Sequence, residues 1–176
     1  MKTTYQTSKI DMLEHGLMVN ESYARILKKD TDYIQHFGFS PEDLDALLNF
    51  QHDHILMRHY HIYHDCGKPF CQTTDENGKN HYPDHAAKSA QVYQKYFDCE
   101  IANTLIKNDM IFHALKSEDL SAWLLAQDKR IIASLYLTAW AEIFANSAMF
   151  GGFESDSFKI KKKKLNSSFK KLKPLL

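Results

Sequence analysis

Apolar residues recur every three or four positions over most of the chain, and this period predicts helix after helix. Ile10, Leu13, Leu17, Ala24 and Leu27 form one stripe across residues 8–29, widened by Met12, Val19 and Ile26. Gly38 interrupts it. Ser40-Pro41-Glu42-Asp43 then supplies a capping hydroxyl, a first-turn proline and early acids for a helix carrying Leu44, Leu47 and Leu48. Helix continues over 52–64. The period is lost over 66–83, where turn formers predict a loop with a short hairpin at Asn77-Gly78. Asp84 is placed to cap a helix over 84–97. Ile101, Leu105, Ile106 and Ile111 mark another to about residue 115, residues 117–127 a short one, and 130–149 a long apolar helix ended by Gly151-Gly152. Without an internal repeat or interdomain linker, this reads as an all-α fold: a single compact bundle of about six or seven helices.

Composition agrees. The chain has 176 residues, 44% of them hydrophobic, enough for one domain with a real core. Residues 1–9 are polar and no apolar run approaches the roughly 20 residues of a membrane helix, so a cytoplasmic protein without membrane association is expected. Cys66, Cys71 and Cys99 are an odd number without Cys-x-x-Cys spacing, which argues for reduced thiols and against a disulfide framework or structural zinc.

Charge divides the picture at one point. Residues 159–176 carry eight of the chain's 22 Lys and Arg and none of its 22 Asp and Glu, leaving the body through Phe158 with a net charge of −8. Residues 1–158 are therefore expected to form the helical domain and 159–176 a basic tail. The tail is either a solvated, partly disordered terminus or a contact for RNA, DNA or an acidic partner.

The sharpest chemical statement is His64-Asp65-Cys66-Gly67-Lys68-Pro69 at the end of an apolar helix. Adjacent imidazole and carboxylate groups suit a divalent cation. Gly67 is expected to let the backbone turn away at once. Lys68 is left to meet an anion, or more plainly to end the helix near its negative dipole end. A metal and a phosphate-bearing ligand are thus expected. His52, His54, His59 and His61 crowd the same segment at varied helical angles and read mostly as surface residues. Glu142, flanked by Trp140, Ile143 and Phe144, would be costly to bury alone and is tolerated beside a cation.

The His-Asp doublet at a buried helix end followed by Gly-Lys resembles the HD superfamily of metal-dependent phosphohydrolases. Glu14-His15-Gly16-Leu17-Met18-Val19 resembles the family's first helix, and His81-Tyr82-Pro83-Asp84-His85-Ala86-Ala87-Lys88 is similar to a segment of the HD domains attached to CCA-adding and related RNA-processing enzymes. The resemblance implies a metal shell of His15, His64, Asp65 and a distal carboxylate. Asp109 and Glu142 compete for that last place, with Glu142 preferred because Asn108 replaces the histidine that precedes the aspartate in the CCA-linked branch.

It further implies Lys68 and Lys88 offsetting phosphate charge, His81 near the substrate, and His85, or else His81 or His113, as general acid or second-metal ligand. The N/O donor set suits Mn, Co, Ni, Fe or Mg. The expected activity is phosphomonoester or phosphodiester hydrolysis at a nucleotide, another phosphorylated small molecule, or a terminal or cyclic phosphate of a nucleic acid. The alternatives are a non-catalytic RNA-binding accessory module on the same scaffold, and a di-iron oxygenase.

Overall fold

Side chains that accept backbone N–H groups open most of the helices. The computed structural model describes residues 11–176. Helix α1 (Met12–Leu27) begins where the Asp11 carboxylate accepts from the Glu14 amide at 2.8 Å; Ile10, the expected start of its stripe, lies outside the described residues. After a single turn, α2 (Thr31–Ile34), the reciprocal Ser40–Asp43 capping box opens α3 (Pro41–Phe50). Residue 52 does not continue the next helix. Asp53 is extended and its carboxylate accepts from the amides of Ile55 and Leu56, so α4 (His54–Tyr63) starts afresh there.

The predicted loop contains the small hairpin, with β1 (Thr73–Thr74) antiparallel to β2 (Asn80–His81) and Gly78 left-handed at φ 77°. Asp84 does not cap α5 (His85–Gln94) with its side chain; it adopts a left-handed conformation instead. The helix expected over 101–115 is two, α6 (Glu100–Lys107) and α7 (Ile111–Ala114). Asn108 ends the first by donating from Nδ2 to the Thr104 carbonyl at 2.9 Å, and the break turns Asp109 inward. Helices α8 (Ser117–Leu125) and α9 (Lys129–Ala145) follow, the latter leading through a short 3-10 turn to left-handed Gly151 and Gly152.

The fold is all-α, arranged around α9, which is buried on every side from Ile132 to Ala145. Helices α1, α3, α7 and α10 (Asp156–Leu172) pack on it, and α4 and α6 lie beyond α1 and beside it. Helix α1 buries only part of the expected stripe, Val19 and Ile26. Leu13 and Leu17 are exposed, while His15, Val19, Tyr23 and Ile26 face inward. The reason sits at Gly16, where an added Cβ would lie 2.6 Å from the His61 carbonyl oxygen: α1 crosses α4 in backbone contact at that point, which fixes the inward face.

Most of the segment expected as a basic tail, solvated and partly disordered or else a contact for nucleic acid or an acidic partner, is ordered as α10. Phe158, Leu165, Phe169 and Leu172 recur on one face and are buried, and the Tyr136 hydroxyl donates to the Leu165 carbonyl at 3.1 Å. Periodicity in this stretch was masked by the lysines between the apolar positions. Several lysines have partners of their own: Lys164 donates to the His113 carbonyl at 2.6 Å, Lys171 to that of Ser117 at 2.6 Å, and Lys173 meets Asp43 at 2.8 Å. Cys66, Cys71 and Cys99 are free thiols. Among the described residues no helix is long and apolar enough to cross a membrane.

Candidate metal centre

Three helices bring their polar exceptions to one point inside this bundle. His15 from α1, His64 at the end of α4 and Glu142 from α9 are all buried, and one donor atom of each lies within 4.8 Å of the other two. Gly16 makes the first meeting possible, since only a glycine lets α1 approach the His61–Ile62 backbone this closely. His64 is oriented by its own helix: Nδ1 donates to the His61 carbonyl at 2.7 Å, which turns Nε2 toward the centre. Nε2 lies 3.3 Å from Glu142 Oε1 and 3.4 Å from Asp65 Oδ2 but has neither aligned as a hydrogen bond. A buried nitrogen of this kind is costly to leave so, and a cation coordinated there would satisfy it. The donor set therefore fits a metal ion, which His15, His64 and Glu142 could hold.

Asp65 flanks this trio and is gripped elsewhere. Its Oδ2 accepts from Lys68 Nζ at 2.5 Å and lies 3.8 Å from His15 Nε2, while its Oδ1 lies 3.6 Å from His85 Nε2 with no hydrogen bond. Lys68 is thus a buried partner of Asp65. Gly67 does not provide a special turn, for its φ of −86° is ordinary. It provides contact instead: a Cβ there would sit 2.2 Å from the Ser89 nitrogen, and the Gly67 amide donates to Ser89 Oγ at 2.9 Å. That contact holds α5 against the doublet. His85, at the start of α5, donates from Nδ1 to the Tyr82 carbonyl at 3.0 Å, which leaves Nε2 toward Asp65.

A cavity of about 180 Å³ opens beside the trio, and His15, Asp65, Lys68, His85, Asp109 and His113 line much of it. His113 Nε2 stands 2.9 Å from Glu142 Oε2. Of the two competing carboxylates, Glu142 groups with the histidines. Asp109 reaches the same cavity, but its Oδ1 accepts from the buried Tyr60 hydroxyl.

Two expected substrate contacts lie apart from the cavity lining. His81 is about half exposed on the hairpin and pairs with Asp75 at 2.8 Å, because the β1–β2 register turns it toward the turn residues. Lys88 is half-buried on α5 and also lies outside the lining. The crowded histidines also divide differently from expectation. His52 and His61 are buried, and His61 is a structural core group whose Nε2 meets Thr138 Oγ1 at 3.0 Å. Two polar lining residues escaped the sequence reading, Asn146 and Lys161. Asn146 stands one helical turn after Glu142, a spacing that signals a shared face. Lys161 was indistinguishable from its lysine neighbours.

Buried carboxylates and His64 set one another's charge at this point. Burial alone would lower the His64 pKa, but the charges of Asp65 and Asp109, with Glu142 adjoining, outweigh it and hold His64 well above the usual histidine range. Burial would raise Asp65 and Glu142; the neighbouring His64, with Lys68 for Asp65 and His113 for Glu142, holds both carboxyls well below theirs. His15 goes the other way, lowered to about 4 by burial and by the charge of His64, so it is neutral at pH 7. Asp109 is pushed up to about 7 by burial and by the charge of Glu142.

For folding, the raised His64 value contributes stability that is fully present below pH ~6.5 and is lost as pH rises through its folded pKa. The depressed Asp65 value contributes stability present above pH ~4 and lost as pH falls through its folded pKa. Metal coordination must displace the proton on His64 Nε2. Cation binding at pH 7 is therefore expected to release about one proton, and affinity to fall roughly tenfold per unit of acidification below the His64 pKa. Calorimetric titration with Mn or Co, in buffers of different ionisation enthalpy, reads this directly; binding without proton release would contradict it.

No family model, curated protein or solved structure matches the chain.

Proposed function

We propose that this protein is a metal-dependent phosphohydrolase of the HD type, acting on a phosphate ester of a nucleotide or another small phosphorylated molecule. The observation that carries the reading is the convergence of His15, His64 and Glu142, with the Asp65–Lys68 pair beside them and a small cavity lined by His15, Glu142, Asp65 and Lys68 alongside. An N/O set of two imidazoles and a carboxylate suits Mn, Co, Ni, Fe or Mg, and a carboxylate-bound lysine beside it favours an anionic substrate.

When bound, such an ion supplies Lewis acidity, acidifying water and polarising a phosphoryl oxygen. The remaining work falls to the chain. Asp65 holds Lys68 at the cavity wall, so that its ammonium offsets charge building on the phosphoryl oxygens. The Tyr82 carbonyl keeps the proton on His85 Nδ1 and aims Nε2 inward, and His85 serves as the proton carrier for the departing oxygen. His113, held by its carbonyl contact with Lys164 and by Glu142, fixes the carboxylate of the trio.

The test is phosphate release from nucleoside monophosphates, 2',3'-cyclic phosphates, small phosphomonoesters and short RNAs with Mn, Co, Ni, Fe or Mg supplied. Metal-stimulated release from at least one of them is expected. Absence of release from all of them with every metal rejects the reading.

A further inference from the structure

Asp65 Oδ2 stands between two kinds of partner. It lies 3.4 Å from His64 Nε2 and 3.8 Å from His15 Nε2, and it accepts from Lys68 Nζ at 2.5 Å. Donors on a single ion, each about 2.1 Å from it, stand about 3–4 Å apart. Asp65 Oδ2 keeps that spacing from both imidazole nitrogens, so an ion seated on His15 and His64 has this oxygen within reach.

The chain places Lys68 for the same oxygen. Lys68 follows Asp65 by three residues, its amide donates to the Asp65 carbonyl at 3.0 Å, and its side chain is buried beside the doublet. The Tyr82 ring lies 5.5 Å from the ammonium. A buried carboxylate without a cation is costly, and in the metal-free protein the ammonium lowers that cost. A divalent ion in the centre reverses the balance. Asp65 is then neutralised by the ion, and an ammonium bonded to the same carboxylate becomes a repulsive neighbour.

We infer that Lys68 is the built-in counter-cation of the metal-free protein, and that metal and ammonium compete for Asp65. The inference rests on the proposed phosphohydrolase reading for its purpose: loading turns the Lys68 charge away from Asp65 and toward the cavity that Lys68 also lines, so a substrate anion is received only after the metal. The competition itself stands on the distances around Asp65 Oδ2.

The experiment titrates Mn by calorimetry, at one pH, into full-length metal-free wild type, Lys68→Met and Lys68→Arg. Removing a like charge beside a cation site is expected to tighten Mn binding by Lys68→Met at least about tenfold, while Lys68→Arg keeps the charge and stays within about threefold of wild type. Saturating Mn should raise the Tm of Lys68→Met by more than that of wild type. Equal or weaker Mn binding by folded Lys68→Met overturns the inference and leaves Lys68 only holding Asp65 in place.

A second measurement uses wild type alone. Nitrogen-observed NMR of the lysine ammonium groups is expected to show Lys68 protected from exchange with water in the metal-free protein and to lose that protection on saturation with zinc, a diamagnetic ion that takes the same nitrogen and oxygen donors. Protection unchanged by zinc overturns the inference. Tighter Mn binding by Lys68→Met, in a protein whose wild type hydrolyses no ester, supports the competition and rejects the phosphohydrolase reading. Ester hydrolysis with Mn affinity unmoved by Lys68→Met does the converse.

Discussion

His64→Ala is expected to abolish stoichiometric metal binding and to reduce metal-stimulated phosphate release by at least about 100-fold. Outer-shell partners of metal ligands already cost about 10–100-fold when removed, and His64 belongs to the ligand trio itself. The variant should also lose stability. In the metal-free protein His64 stands between Asp65 and Glu142, and deleting it leaves Asp65 only Lys68 and Glu142 only His113, at a cost of up to about 3 kcal/mol.

His15→Ala separates the two effects. His15 is neutral at pH 7 because burial lowers its pKa to about 4, so its removal strips a ligand without stranding a charge. It should lose metal and activity with a smaller loss of stability. Elemental analysis of purified proteins, phosphate release at saturating metal and urea denaturation provide the three readouts. Stoichiometric metal and wild-type turnover in folded His15→Ala and His64→Ala would remove the metal centre from the mechanism.

Gly67→Ala should cost about 3 kcal/mol or more, a fall in Tm of roughly 6–12 °C for a chain of this size. The position is uncompromising because the obstacle is backbone. An added methyl would meet the nitrogen and Cα of Ser89 at 2.2 and 2.6 Å and the carbonyl carbon of Lys88 at 2.5 Å, and no side-chain rotation relieves that. The damage should spread to the site, since α5 must retreat and carry His85 away from Asp65. Ser89→Ala is the companion measurement. It removes the hydroxyl that accepts from the Gly67 amide but leaves the backbone contact, and should cost only about 1–2 kcal/mol. If Gly67→Ala proves no worse than Ser89→Ala in thermal and urea unfolding, the close approach is not what holds α5 in place.

Gly16 and Gly67 also show why the helices were easier to find than their arrangement. A glycine beside a histidine or an aspartate carries no periodic signal, yet each marks a place where two backbones touch. The apolar stripe on α1 predicted the helix and part of its buried face, Val19 and Ile26, but not that Leu13 and Leu17, which are as hydrophobic, stay exposed; only the crossing at Gly16 decides which side turns inward. The breaks at Asp53 and Asn108 came from side chains that satisfy backbone groups locally, and hydrophobic period does not record those bonds. In α10 the reverse held, with a genuine apolar face hidden by the charge around it.

By itself, the sequence determined the all-α class, the hairpin at Asn77-Gly78, the free cysteines and the residue types from which a cation site is built, because period, turn chemistry and donor identity are local properties of the chain. Only the tertiary structure decided which carboxylate joins His15 and His64, what Lys68 is bonded to, and that Lys161 reaches the cavity from the basic segment. Those are distances between elements far apart in sequence, set by how closely α1, α5 and α10 approach their neighbours.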